Sequence, residues 1–436
     1  MTVWEPILSG GPAEQAFDAA EAIAADIAYP MVNTWKLFGE REAPHSLGFG
    51  GAGIALFFWY FSNVFQNSEH ARTAFHFLSD ALVAANQEWM APGLIRGISG
   101  VYWACEHINR HLGFVRLETK NEDQNFKFAN WCEKASTAAA LTDGIGGLCL
   151  YAAEGMPDKA AESLMHIVAA SIERMSELVP PGIAWKASEQ AEVDIQSVVP
   201  GFRLNRKAFP LNVGYGLAGI VGSLLSSYSN GVAQERTKQL VENAISCLLS
   251  QKRPPGPWQL FPAGIGIDLP AMPSGWYVGD LGIAIVLFNA SRVLGRDDWR
   301  ATALEIAQSE AEKRERYARI NSEDYTLSTG AAGHAHLFNR LFHATGEELF
   351  ADAARFWYGQ ALACRRPGTG TGGFLFHGLD FQGFLSGASG LGLALLGAIS
   401  SVAPGWDRAL VSSHSYAVDH RSERSHPTSN SISELK

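Results

Sequence analysis

One short pattern, Gly-x-x-Gly, occurs seven times along this chain, at Gly50/Gly53, Gly97/Gly100, Gly144/Gly147, Gly216/Gly219, Gly279/Gly282, Gly330/Gly333 and Gly387/Gly390. Successive first glycines are 47, 47, 72, 63, 51 and 57 residues apart. A repeat of this period constrains the fold more than composition does. Glycine permits a tight turn and close backbone packing where a helix begins. Each copy opens a small or apolar run, such as Ile54-Ala55-Leu56-Phe57-Phe58-Trp59 or Leu391-Gly392-Leu393-Ala394-Leu395-Leu396. The stretches between, at residues 71–86, 158–178, 234–250 and 299–318, have the spacing of amphipathic helices. Each unit is therefore one apolar helix after a glycine turn and one more polar helix. A ring of such hairpins places the apolar helices inside and the amphipathic ones outside. The expected fold is all-α, an α/α toroid of about seven inner and seven outer helices. With 44 glycines some Gly-x-x-Gly pairs arise by chance. Seven, each followed by a helix-like run, do not.

The 436 residues fit one such ring, expected over residues 1–411, followed by a polar, aperiodic tail at 412–436 with the composition of a disordered segment. A formal net charge of −10 and the lack of a long basic run disfavour a nucleic-acid partner. The start of the chain lacks the basic and apolar regions of a signal peptide. No uncharged apolar run reaches the length of a membrane span, so a cytoplasmic protein is expected. Cys105, Cys132, Cys149, Cys247 and Cys364 are scattered without CxxC spacing. They read as reduced core thiols rather than a metal cluster.

Residues 12–35, rich in Ala and acidic side chains, read as the first outer helix. Two stretches break the helical pattern. Residues 180–210, with Pro180-Pro181 and the β-branched run at 193–199, suggest a loop or short strand excursion. Residues 254–273 carry six prolines and form a second long loop. Long loops on a rigid ring are expected over its mouth, where such loops often carry function. A third, Gly-rich loop at 369–383 contains His377 and Asp380.

Three local sequences carry a resemblance. They are Trp276-Tyr277-Val278-Gly279-Asp280-Leu281-Gly282-Ile283-Ala284, the stretch from Leu327-Ser328-Thr329-Gly330 through His334-Ala335-His336-Leu337-Phe338-Asn339-Arg340, and Phe384-Leu385-Ser386-Gly387-Ala388-Ser389-Gly390-Leu391. With Trp406-Asp407-Arg408 near the end, they resemble the lanthionine synthetase C-like (LanC) proteins over about residues 46–410. The resemblance implies an α/α toroid that closes thioether rings on ribosomally made peptides by adding a cysteine thiol to dehydroalanine or dehydrobutyrine. It also implies a zinc ion held by a Cys in a Trp-Cys-x-Gly turn and by a Cys-His pair in a Leu-Cys-His-Gly turn.

The sequence departs from that pattern at the metal. The first turn reads Trp276-Tyr277-Val278-Gly279 and the second Leu327-Ser328-Thr329-Gly330. Hydroxyls are poor substitutes for thiolate and imidazole as zinc ligands, so zinc is expected to be absent and no cofactor is expected. A family catalytic His aligns with Tyr215. Candidate catalytic residues are then His377, Tyr215, Tyr277, Asp280 and His334, and candidate substrate-binding residues are Arg96, Ser328 and Thr329. Each has a plainer reading. Asp280 can orient its turn, the tyrosines can fill space left by the metal, Ser328 and Thr329 can bond local backbone, and the histidines can be packed or exposed.

The leading expectation is a LanC-like protein of ribosomal peptide modification that cyclises without zinc, with a dehydrated precursor peptide as substrate and a lanthipeptide dehydratase as a candidate partner. The alternative is a non-catalytic scaffold that binds the peptide or supports a dehydratase/cyclase complex. A glycosidase would need two opposed carboxylates, which Asp143, Asp280 and Asp380 could supply. The family-like units disfavour it.

Overall fold

The structure, a computed structural model, describes residues 3–27, 44–87, 90–111, 121–133, 138–189, 191, 205, 207–267, 269 and 274–413. The expected tail from residue 414 onward and the β-branched run at 193–199 lie outside the described residues. Among the described residues, seven helices form an inner layer: α2 (Gly51–Phe65), α4 (Ile98–His111), α6 (Gly146–Gly155), α8 (Leu217–Ser229), α10 (Asp280–Leu294), α13 (Ala331–Thr345) and α15 (Ala388–Ile399). Each begins at a Gly-x-x-Gly. Seven more lie outside: α1 (Gly10–Asp26), α3 (Ser68–Gln87), α5 (Asn121–Glu133), α7 (Lys159–Arg174), α9 (Gln234–Ser250), α11 (Asp297–Glu312) and α14 (Glu348–Ala363). A short helix α12 (Arg314–Ile320) follows α11.

The inner helices pack in the order α2–α4–α6–α8–α10–α13–α15, and α15 packs back on α2, so the ring is closed. Composition explains the layers. From Gly51 to Ser62 every residue of α2 is buried, as is every residue of α15 from Ala388 to Ala398. A helix apolar all round is stable only when surrounded. The outer helices bury one stripe, as α7 does with Ala161, Leu164, Met165, Val168 and Ile172. Helix α1 is an outer helix, as its composition predicts, although residues 28–35 of the expected span lie outside the described residues, and it packs on α15 and α14. The chain start thus clamps the last unit, with Ile7 and Leu8 donating their amides to the Ala398 carbonyl.

Among the described residues, two small antiparallel pairs interrupt the helices. The hairpin β1 (Glu177–Val179) and β2 (Gly182–Ala184) turns at Pro180-Pro181 and lies on α9. The strands β3 (Phe209–Pro210) and β4 (Gly264–Ile265) tie together the two long loops.

A 3-10 helix at Gly405–Leu410 and its flanks pack inside the ring of inner helices, from the C-terminal ends of α4 and α6 to the residues that precede the glycine turns. Trp276 Nε1 donates to Leu410 O at 2.6 Å, Asn289 to Val411 O at 3.1 Å, and Trp406 packs edge-on against Phe384. Two buried charge clusters fix this plug. Asp407 accepts from His336 and Arg340, and Arg408 donates to Glu154, which also meets His107 at 2.8 Å. Their arginines hold both carboxyls well below the usual carboxylate range against the opposing effect of burial.

Candidate active site

The glycine turns share a finer register than Gly-x-x-Gly. Three residues before each first glycine stands a buried apolar residue: Leu47, Leu94, Leu141, Val213, Trp276, Leu327 and Phe384. The second glycine of each unit packs on the backbone of its own turn. A side chain at Gly333, for example, would strike the Leu327 carbonyl oxygen.

Two residues before each first glycine lies a position that bonds to its counterpart in the next unit. Gly48 N donates to Ile95 O at 2.8 Å, Ile95 N to Thr142 O at 3.0 Å, and Thr142 N to Gly214 O at 3.1 Å. Gly214 N donates to Tyr277 O at 3.1 Å, Tyr277 N to Ser328 O at 2.8 Å, Ser328 N to Leu385 O at 3.1 Å, and Leu385 N returns to Gly48 O at 2.7 Å. The seven bonds form one closed circle. One amide and one carbonyl of each turn thus find partners across the unit boundary. The circle is a floor for the mouth of the ring.

The residue directly before each first glycine stands at the rim of this floor: Phe49, Arg96, Asp143, Tyr215, Val278, Thr329 and Ser386. Phe49 and Tyr215 are buried and the other five partly exposed. The register therefore gathers five of the eight site candidates, Arg96, Tyr215, Tyr277, Ser328 and Thr329. The Arg96 guanidinium lies 4.5 Å over the Phe49 ring. Tyr277 leans over Gly214, where a Cβ would meet its ring, and packs edge-to-face on Tyr215 at 5.6 Å. Ala140, Ala187, Ala191 and Leu269 complete that apolar cluster, so described residues of both long loops pack on the tyrosines.

The other side is hydroxylic. Thr329 Oγ1 donates to Asp324 Oδ2 at 2.6 Å, and Thr326 Oγ1 donates to Asp324 Oδ1 at 2.7 Å. Ser328 Oγ lies 2.9 Å from Thr326 Oγ1 and 3.4 Å from Ser386 Oγ. Asp324, buried beneath them, was not among the sequence candidates. Its signal was the Asp-x-Thr-x-x-Thr spacing from Asp324 to Thr329, in which a turn can fold both hydroxyls back onto one carboxylate.

The other three candidates stand apart from this group. Asp280 is buried at the start of α10 and accepts the amides of Leu260 and Phe261, which moors the 254–267 loop. Burial pushes its carboxyl up. Its charge adds to the burial that raises Glu310 on α11. His334 is buried against α14, stacked on Trp357 at 4.3 Å, with Nδ1 2.8 Å from Gly330 O. Burial lowers its pKa, so the ring is neutral. His377 sits exposed at a loop tip with φ 50°, beside Phe376. None of the contacts described for it reaches the mouth.

These features belong to a known class. The family model for lanthionine synthetase C-like proteins matches residues 42–411, and the chain belongs to that family. Among solved structures, nisin cyclase superposes with a TM-score of 0.63 at 16% identity, covering 91% of this chain and 97% of that chain. A sugar epimerase from a ruminal bacterium reaches a TM-score of 0.45 at 11% identity, covering 87% of this chain and 98% of that chain. That level of likeness carries no argument about this protein. No curated protein sequence matches. Among the described residues no helix is long and apolar enough to cross a membrane.

Proposed function

We propose that this chain closes thioether rings on a dehydrated ribosomal peptide without zinc, by adding a cysteine thiol to a dehydroalanine or dehydrobutyrine. The observation that carries the reading is the convergence of Tyr277, Ser328 and Thr329 on one arc of the mouth. These are the three positions at which the family resemblance places metal ligands. Tyr277 and Ser328 are bonded neighbours in the circle of amides.

A zinc ion does not fit this donor set. It consists of one phenol and two aliphatic hydroxyls, with no thiolate, imidazole or carboxylate among them. Among the described residues no group of three His, Cys, Asp or Glu could hold a metal ion. The chemistry then falls to binding and to side-chain acid–base groups. Holding thiol and alkene together removes a large part of the barrier. Arg96 on the opposite arc suits a peptide carboxylate or carbonyl.

The engagement of both hydroxyls within the protein also favours a second reading, a scaffold that holds the peptide for a partner such as a dehydratase. The full chain, mixed with a dehydrated cysteine-containing peptide, separates the two. A cyclase removes free thiol at constant peptide mass and gives one stereoisomer. Binding with no gain over the uncatalysed rate leaves the scaffold. Neither binding nor thiol loss would refute both.

A further inference from the structure

The hydrogen-bond directions at the hydroxylic arc carry more than a turn. Asp324 accepts four bonds, from Thr326 N at 2.9 Å, Thr326 Oγ1 at 2.7 Å, Asn321 Nδ2 at 3.0 Å and Thr329 Oγ1 at 2.6 Å. It is 3% exposed and joins no ion pair among the described residues. A hydroxyl has one proton. Thr329 gives its proton to Asp324, so Thr329 Oγ1 offers only lone pairs to the partly exposed side on which it stands. Thr326 likewise spends its proton on Asp324, so Ser328 must donate to Thr326 and Ser386 to Ser328. The hydroxyls of Ser386, Ser328, Thr326 and Thr329 thus all lead to one carboxylate, and Thr329 Oγ1 is left as an acceptor.

Resting on the function proposed above, we infer that Thr329 and Asp324 form a proton relay that activates the substrate thiol in place of a metal. The thiol S–H donates to Thr329 Oγ1, which passes its own proton to Asp324 Oδ2. Sulfur bonds to the β-carbon of the dehydro residue, and the π pair moves to the α-carbon as an enolate. The α-carbon takes a proton from solvent, and Asp324 returns its proton to solvent, so the addition is net proton-neutral. Thr329 touches the reacting thiol. Asp324 acts through it as a positioning residue and proton store. The titratable neighbours that feel the Asp324 charge are Tyr325, His334 and Cys364. His334 is neutral and all three are buried or half-buried, so none competes as an exposed base.

The pH–rate profile of thiol loss tests this. A relay-assisted reaction of the neutral thiol is independent of pH below the thiol pKa near 8.5 as long as the relay stays intact. A reaction of pre-formed thiolate rises tenfold per unit up to that pKa. The wild type is expected to be flat from about pH 6 to 8. Thr329→Val is expected to be about 10²–10³-fold slower at pH 7 and to rise tenfold per unit. Thr329→Ser is expected to restore the flat profile, which a merely structural role would not do. Asp324→Asn should match Thr329→Val, with folding checked by circular dichroism. Should Asp324→Asn unfold, the valine–serine pair still decides. A wild type with the tenfold slope, or a Thr329→Val variant with unchanged rate and profile, overturns the relay and leaves the cyclase reading standing. A wild type that consumes no thiol overturns both.

Discussion

Replacing Arg408 with Met tests how the far end of the ring is held. Glu154 on α6 is 3% exposed and takes two bonds from Arg408, at 2.7 and 3.2 Å. Its other partners are His107 at 2.8 Å and Arg110 at 3.8 Å. Removing one partner of a buried pair costs about 3–5 kcal/mol, because the remaining charge is left uncompensated. Arg110 stays, and Arg408 is itself 15% exposed, so Arg408→Met should fall at the lower end, about 3 kcal/mol. Urea unfolding followed by circular dichroism reads this as a lowered midpoint. The double variant Glu154→Gln/Arg408→Met should recover part of the loss, since no charge is then stranded. Acid gives an independent check. The Glu154 pKa is held below its ordinary 4.5, so its stabilising contribution is fully present above about pH 4.5 and is lost as pH falls through the depressed folded value. The stability gap between wild type and Glu154→Gln should close on acidification. A cost below about 1 kcal/mol, or a double variant that is simply additive, would refute the argument.

Other outcomes follow from the same structure. Gly333→Ala should destabilise by about 2–4 kcal/mol, because its Cβ would meet the Leu327 carbonyl and displace the circle of amides. Gly359→Ala, exposed on α14 with open space around it, should stabilise by about 0.5–1 kcal/mol, and equal effects at the two sites in urea unfolding would contradict the register. Burial pushes the thiols of Cys105, Cys132 and Cys149 up to about 12, so a thiol reagent at pH 8 should label them only after denaturation, and rapid labelling of the native chain would refute that burial. Asp280→Ala should free the 254–267 loop for limited proteolysis by removing the acceptor for Leu260 and Phe261, and unchanged cleavage would show that the loop is moored elsewhere.

The ring was legible in the sequence because each unit repeats a local requirement. A glycine starts an inner helix, and an apolar run is stable only when surrounded. The convergence of Tyr277, Ser328 and Thr329 follows from their shared register with the glycines. What the sequence hid was set by tertiary geometry. The bond from Leu385 to Gly48 closes a circle between residues 337 apart, which no local pattern encodes. Helix α1 belongs to the last unit because the chain start must cover α15. His334 has a catalytic residue type, but helix phase turns it to Trp357. Asp324 escaped notice because its role depends on a turn that brings Thr326 and Thr329 back to it. Asp280 follows a glycine turn like a mouth residue, but it is the first residue of its helix and faces the loop packed outside.

The most direct test of zinc-free ring closure is the rate of thioether formation on a dehydrated peptide by the full chain before and after exhaustive chelation, with zinc content measured in both samples. The account predicts far less than one zinc per chain and the same rate in both. A rate abolished by chelation and restored by added zinc, with one zinc bound per chain, would contradict it.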